Sequence, residues 1–171
     1  MSQTVYAMCG LAFSGKSTVA QTLRRELGIE LISLDAINAE RGLQGGEGIP
    51  DKQWEETSLM AMDRLRALLR QRHSVVVDDT FSHRFLRERC KGVADECGCR
   101  FLIVFVDTPL SEIEARRAAN KANPVRHHIR DEVFRHHRDR FQYPTDDEIV
   151  GRITTDGDVE WLLWTERQNL V

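Results

Sequence analysis

The sequence predicts an α/β fold, a five-stranded parallel sheet with helices on both faces, in a single domain spanning residues 1–171. Three observations carry that reading. Short apolar runs alternate with stretches of helical periodicity, the pattern of repeated strand–helix–strand units. The run Val75-Val76-Val77 is β-branched and uninterrupted, as a central strand buried on both faces should be. A glycine-rich turn, Gly10-Leu11-Ala12-Phe13-Ser14-Gly15-Lys16-Ser17, joins the first apolar run to the first helical one.

The elements follow in order. Residues 5–9 are apolar enough for a buried strand. The helix of residues 18–27 puts Val19, Ala20, Leu23 and Leu27 on one face, and Gly28 ends it. Residues 30–34 form the second strand and deliver Asp35 to the carboxyl edge of the sheet, where ligands bind in open α/β folds. One or two helical turns over residues 36–41 are broken by Gly42, Gly45, Gly46 and Gly48. Residues 42–50 are expected to be a mobile connector that closes over a substrate. The helix of residues 51–71 buries Trp54, Ser58, Ala61, Met62, Leu65, Leu68 and Leu69. The third strand, residues 74–80, contains the adjacent acids Asp78 and Asp79 near its end. Ser82 caps the next helix, Arg84 lies in its first turn, and Phe85, Leu86, Cys90, Val93, Ala94 and Cys97 face inward. Residues 100–106 are the fourth strand. Thr108 as N-cap and Pro109 at the first helical position start another helix. Residues 152–155 are a short fifth strand, Asp156-Gly157 turns, and a terminal helix from Asp158 carries Val159, Trp161, Leu162 and Leu163.

The glycine-rich turn carries the chemistry. Its two glycines let backbone N–H groups line a concavity that cradles phosphate oxygens, and the helix behind it adds a positive dipole end. Gly10, Ser14, Gly15, Lys16, Ser17 and Thr18 therefore form the candidate nucleotide-binding set. Lys16 reaches the β and γ phosphates, and the Ser17 hydroxyl is a Mg²⁺ ligand.

Charge and composition narrow the setting. A formal net charge of −3 does not advertise a nucleic-acid binder. From Glu112 to Arg140, however, eight Lys or Arg residues stand against five acids, which suits a lid over about residues 109–143 that folds onto polyphosphate. The histidines in this stretch, His127, His128, His136 and His137, lack metal-ligand spacing and are expected at the surface. Cys9, Cys90, Cys97 and Cys99 read as reduced thiols used as small apolar residues. The absence of a basic, apolar leader and of a long apolar run places the expected location in the cytoplasm, with no membrane partner.

Together these motifs resemble the small P-loop kinases, P-loop NTPases of nucleoside-monophosphate-kinase-like fold. The resemblance is strongest to the polynucleotide-kinase-like group, which is related to the zeta-toxin, chloramphenicol phosphotransferase and seryl-tRNA kinase families. It rests on residues 10–17, Ser33-Leu34-Asp35, residues 75–80 with Arg84, Val106-Asp107-Thr108-Pro109 leading to Arg116, and Pro144 with Asp147-Glu148. It implies an ATP- and Mg²⁺-dependent kinase that transfers the γ-phosphate to a hydroxyl acceptor. Asp35 matches the general base, Asp79 (or Asp78) the third-strand acid that holds Mg²⁺ or orients the acceptor, and Arg116 the lid arginine, with Arg126 as a second. The adenine would sit between the base of the lid and Thr155-Asp156-Gly157. The acceptor pocket would involve Asp35, Asn38, Asp79 and Arg84. Polynucleotide kinases carry an arginine where this chain has Asn38, with Arg41 as a substitute one turn on. That departure makes a small metabolite, nucleoside or antibiotic at least as good an acceptor as a polynucleotide 5′-hydroxyl. The rival class is a non-catalytic ATP-binding switch; no Asn-Lys-x-Asp motif for a guanine nucleotide is present.

Overall fold

The computed structural model describes residues 3–43 and 48–169. Its five parallel strands are β1 (Thr4–Cys9), β2 (Glu30–Ser33), β3 (Val75–Asp78), β4 (Arg100–Val106) and β5 (Val150–Ile153), in the order β2-β3-β1-β4-β5. The helices among the described residues are α1 (Lys16–Leu27), α2 (Leu34–Glu40), α3 (Asp51–Arg70), α4 (Arg84–Glu96), α5 (Leu110–Ala122), α6 (Asp131–Asp139) and α7 (Asp156–Asn169). The expected α/β class and parallel five-stranded sheet are what the chain forms. None of these helices is long and apolar enough to cross a membrane.

Strand alternation divides the interior into two cores. Val5, Ala7, Cys9, Val75, Val77, Ile103 and Phe105 face one side, where Ala61, Leu65 and Leu69 of α3 and Cys90, Val93 and Ala94 of α4 cover them. Tyr6, Met8, Val76, Leu102 and Val104 face the other, against Val19, Ala20 and Leu23 of α1 and Leu162 and Leu163 of α7. The helix α7 is also tied electrostatically. The Tyr6 hydroxyl donates to Glu166 at 2.6 Å, and Arg100 donates to both Glu166 oxygens at 2.9 and 2.6 Å.

Several boundaries differ from the sequence expectation, each for a local reason. The Ser33 side chain accepts from Ala36 N at 3.3 Å, so the chain turns helical at Leu34 and takes Asp35 into the first turn of α2. The strand β3 stops at Asp78 because the Thr80 carbonyl accepts from Gly10 N and Phe81 adopts a φ of 42°. Ser82 does not cap α4; His83 precedes the helix, and the Ser82 carbonyl accepts from Gln142 N. In α4 the inward place expected for Phe85 belongs to Arg87, and Phe85 is exposed. Pro109 is the cap residue of α5 rather than its first helical residue, and the Thr108 hydroxyl is used elsewhere. The strand β5 ends before Thr154 because the N–H groups of Thr154 and Thr155 both donate to Asp158. That contact starts α7 two residues earlier than expected, and Trp161 faces solvent rather than the core. All four cysteines are free thiols, three of them buried. The connector expected over residues 42–50 lies partly outside the described residues, Gly45 and Gly46 included.

Candidate active site

Between β1 and β3 the order of strands reverses, and the loop after β1 opens at that switch point. Gly10 is wedged there. Its N–H donates to Thr80 O at 3.1 Å, its φ is 148°, and a Cβ on it would lie 2.7 Å from the Val106 carbonyl oxygen. Only glycine fits a backbone squeezed so closely between two strand ends. Gly15, at φ 99°, precedes α1 and turns the chain into the helix. Ordered contacts hold the loop carbonyls: Lys16 Nζ donates to Leu11 O at 2.8 Å, Arg116 Nη1 to Phe13 O at 3.1 Å, and the Thr108 hydroxyl to Ser14 O at 2.7 Å. Ser14 Oγ is buried and meets no partner in the described structure.

The charged groups converge on this loop. Burial pushes the Lys16 ammonium down to about 8, against the opposing pull of Asp78 and Asp79. Asp78 is raised by burial and by like-charge repulsion from Asp35, against the opposing pull of the Ser17 hydroxyl, Lys16 and Arg126. Asp79 is pushed up to about 6 by deeper burial, while the N–H groups of Thr80 and Phe81 favour its ionised form. Of the two adjacent acids, Asp78 therefore responds to Ser17 and Asp35, and Asp79 to the amides of its own loop. Strand alternation does not separate them, because Asp79 lies outside β3.

The other residues singled out in the sequence are distributed more widely. Thr18 is in the first turn of α1, its N–H donating to Gly15 O. Asp35 is exposed on α2. Asn38 is buried, accepts from the Thr57 hydroxyl at 2.5 Å, and so bonds α2 to α3. Arg41 turns to α3 as well, donating to Gln53, Glu56 and Thr57. The Arg84 guanidinium is committed to Glu88 and Asp147. Arg116 pairs with Glu112 in addition to Phe13. The Arg126 guanidinium lies over the Phe13 ring, 4.4 Å from its centroid, and close enough to act electrostatically on Lys16 and Asp78. Thr155 and Asp156 lie at the end of β5, where Asp158 engages the Thr154 and Thr155 amides.

Three side chains around the loop escaped the sequence. Thr108 braces the loop. Arg87 is buried and joins Glu148 at 2.7 and 2.9 Å, and it also donates to Phe81 O and Gln142 O, clamping the chain after α6 to the loop after β3. His137 is half-buried, edge-on to Phe141, rather than fully at the surface; desolvation, reinforced by Lys16, His83 and His136, pushes it down to about 4. No sequence signal marks a histidine as buried when its neighbours are charged. Arg87 was detectable only as a break in the apolar face of α4.

The model of the AAA_33 family, an AAA domain, matches residues 5–144, the span from β1 to the chain leaving α6. The chain belongs to the AAA_33 family. This AAA_33 member is 34% identical over 110 residues to an adenylyl-sulfate kinase of Erwinia tasmaniensis, an alignment covering 63% of this chain and 54% of the relative. The chain thus spans about half the length of the curated relatives it matches. A putative kinase of Chloroflexus aurantiacus shares its fold with a TM-score of 0.75 at 18% identity, covering 99% and 96% of the two chains. The APS kinase of Mycobacterium tuberculosis, solved in complex with AMPPNP and APS, superposes with a TM-score of 0.70 at 22% identity, covering 99% and 98%. The P-loop kinase fold of the AAA_33 member is therefore shared with enzymes of that class.

Proposed function

We propose that the protein is an ATP- and Mg²⁺-dependent kinase that transfers the γ-phosphate to a hydroxyl acceptor. The observation that carries this reading is that Lys16, Asp35 and Arg126 all act on Asp78 at the mouth of a loop that admits only glycine at Gly10. The family match and the kinase relatives support it.

The residues fit the nucleotide and the metal. Gly10 and Gly15 leave a cradle without Cβ atoms, and the orphaned Ser14 Oγ is a buried polar group suited to a ligand oxygen. Lys16 and the loop amides would hold the β and γ phosphates. Ser17 and Asp78 would hold Mg²⁺, a hard cation that takes oxygen ligands, with Asp79 behind them. Bound there, the metal would offset charge on the phosphate oxygens. Asp35 is the base: it accepts the proton of the acceptor hydroxyl as that oxygen attacks the γ-phosphorus in line and the bond to the leaving diphosphate breaks. Arg116 and Arg126 neutralise the charge that develops on the transferring group. The helices α5 and α6 with their linking residues act as the lid.

The acceptor is a small hydroxyl-bearing metabolite or nucleoside, with a polynucleotide 5′-hydroxyl the less favoured member of the range, although we place the chain nearest the polynucleotide-kinase-like group. Two side chains support that ranking: Asn38 is a neutral amide whose oxygen is taken by Thr57, and the Arg41 guanidinium is spent on α3, so neither offers a cation to a nucleic-acid phosphate. The test is phosphoryl transfer from labelled Mg·ATP to a panel of nucleosides, small hydroxyl metabolites and 5′-hydroxyl oligonucleotides. Transfer to the small acceptors supports the reading. Tight Mg·ATP binding with transfer to none of them would make the protein a nucleotide-dependent switch instead.

A further inference from the structure

Arg126 is held differently from Arg116, Arg117 and Arg138. Arg116 pairs with Glu112, Arg117 with Asp131 and Arg138 with Asp139. The Arg126 guanidinium meets no carboxylate among the described residues; it lies on the face of the Phe13 ring. Its backbone is fixed separately. Asn120, a buried residue of α5, accepts through Oδ1 from Val125 N and Arg126 N, both at 3.1 Å, and donates through Nδ2 to Arg126 O at 3.1 Å. One amide side chain thus satisfies three backbone groups of a segment outside regular structure.

The two contacts solve one physical problem. A guanidinium meant to neutralise phosphate must be held near Lys16 and Arg116, which repel it, while Asp78 attracts it without pairing with it. A carboxylate partner would hold it but would also cancel the charge it is there to supply. An aromatic face attracts a cation through its quadrupole and leaves both the charge and the edge N–H donors unspent. Phe13 is presented for this by an uncommon backbone: its φ is 66°, a region few aromatic residues enter, and its carbonyl is anchored by Arg116.

We propose that Phe13 and Asn120 are positioning residues that hold Arg126 at the phosphate end of the loop, Asn120 by fixing its backbone and Phe13 by seating its guanidinium. The catalytic consequence rests on the phosphotransfer reading above; the docking itself does not. The glycine-rich loop therefore does more than bind phosphate. Its third variable position is a dock for the lid.

The variants are Phe13→Leu, which keeps apolar bulk and the same backbone demand, Phe13→Tyr, which keeps the ring face, and Asn120→Ala. In the full chain, Phe13→Leu should lower kcat by roughly 5- to 30-fold, the range of a cation–π contact, with KM for Mg·ATP little changed. Phe13→Tyr should recover most of the loss. In an Arg126→Ala background, Phe13→Leu should cost nothing further, since its effect passes through Arg126. An equal loss in that background, or no recovery with tyrosine, would overturn the proposal. Docking is read without catalysis from the rate at which trypsin cuts after Arg126, which should rise in Phe13→Leu and Asn120→Ala; an unchanged rate in both also overturns it. A parent chain that transfers phosphate to no acceptor, with the cut accelerated in the variants, sinks the phosphotransfer reading and leaves the docking supported.

Discussion

The Ser17 hydroxyl favours the ionised form of the Asp78 carboxylate, while the amides of Thr80 and Phe81 favour that of Asp79, its neighbour in sequence. Two adjacent acids thus have different work. Asp78→Asn should raise the Mg²⁺ concentration needed for half-maximal activity about tenfold or more, because a neutral amide is a poor ligand for a hard cation. Asp79→Asn should leave that requirement within a few-fold and change mainly the thermal midpoint. A Mg²⁺ titration of both variants distinguishes them.

Asp35 stands exposed in the first turn of α2 and acts electrostatically on Asp78. Asp35→Asn should keep ATP affinity nearly intact and lower kcat by about 10²-fold or more, the scale of a lost general base. Steady-state kinetics beside equilibrium nucleotide binding would show it, and activity within a few-fold of the parent would remove Asp35 from the mechanism.

Gly10 admits no side chain. With φ at 148° and the Val106 carbonyl oxygen 2.7 Å from where a Cβ would lie, Gly10→Ala must shift backbone on one side or the other. We expect a loss of roughly 1–3 kcal/mol in stability, the cost of a strained backbone, and loss of nucleotide binding together. Denaturant unfolding and nucleotide titration of one preparation would measure both.

Two ion pairs hold the segment after α6, and they should differ sharply. Arg87 and Glu148 have side chains 1% and 10% exposed, whereas Arg84 and Asp147 are 45% and 59% exposed. Glu148→Ala strands a buried guanidinium and should cost about 3 kcal/mol or more. Asp147→Ala should be close to silent in unfolding experiments, as exposed pairs usually are.

His137 makes stability depend on acidity. Its imidazole, pushed from an ordinary 6.5 to about 4 by burial, binds a proton less readily in the folded chain than in the unfolded one. Its contribution is therefore fully present above pH 6.5 and is lost as the pH falls toward 4. At pH 5 the loss is about 1–2 kcal/mol on the scale of 1.36 kcal/mol per unit. His137→Gln should flatten this part of the profile, read from urea midpoints at pH 7 and pH 5.

The fold was legible because its signals are local and repeated. An unbroken Val75-Val76-Val77 and a glycine-rich turn between strand and helix leave few alternatives. The nucleotide side of the site was legible for the same reason, since residues 10–17 are contiguous. What escaped was settled by contacts between distant segments. Thr108 looked like a helix cap until Ser14 offered a carbonyl 94 residues away in sequence, and Arg87 finds Glu148 across 61. Asp158 takes two amides that a strand pattern assigned to β5, so the end of that strand was misread. Periodicity ranks positions on one element; it does not say which distant chain will arrive to use them.

The place of β1 in the sheet has a consequence for biosynthesis. Of these five strands, the first to leave the ribosome is the central one: Val5 waits for Val75 on one edge, and Thr4 for Arg100 on the other. One of its faces waits longer, until Glu166 reaches Tyr6. An apolar strand with open edges is thus exposed while most of the chain is still being made, so newborn molecules should lean on holdase chaperones and fold slowly once released.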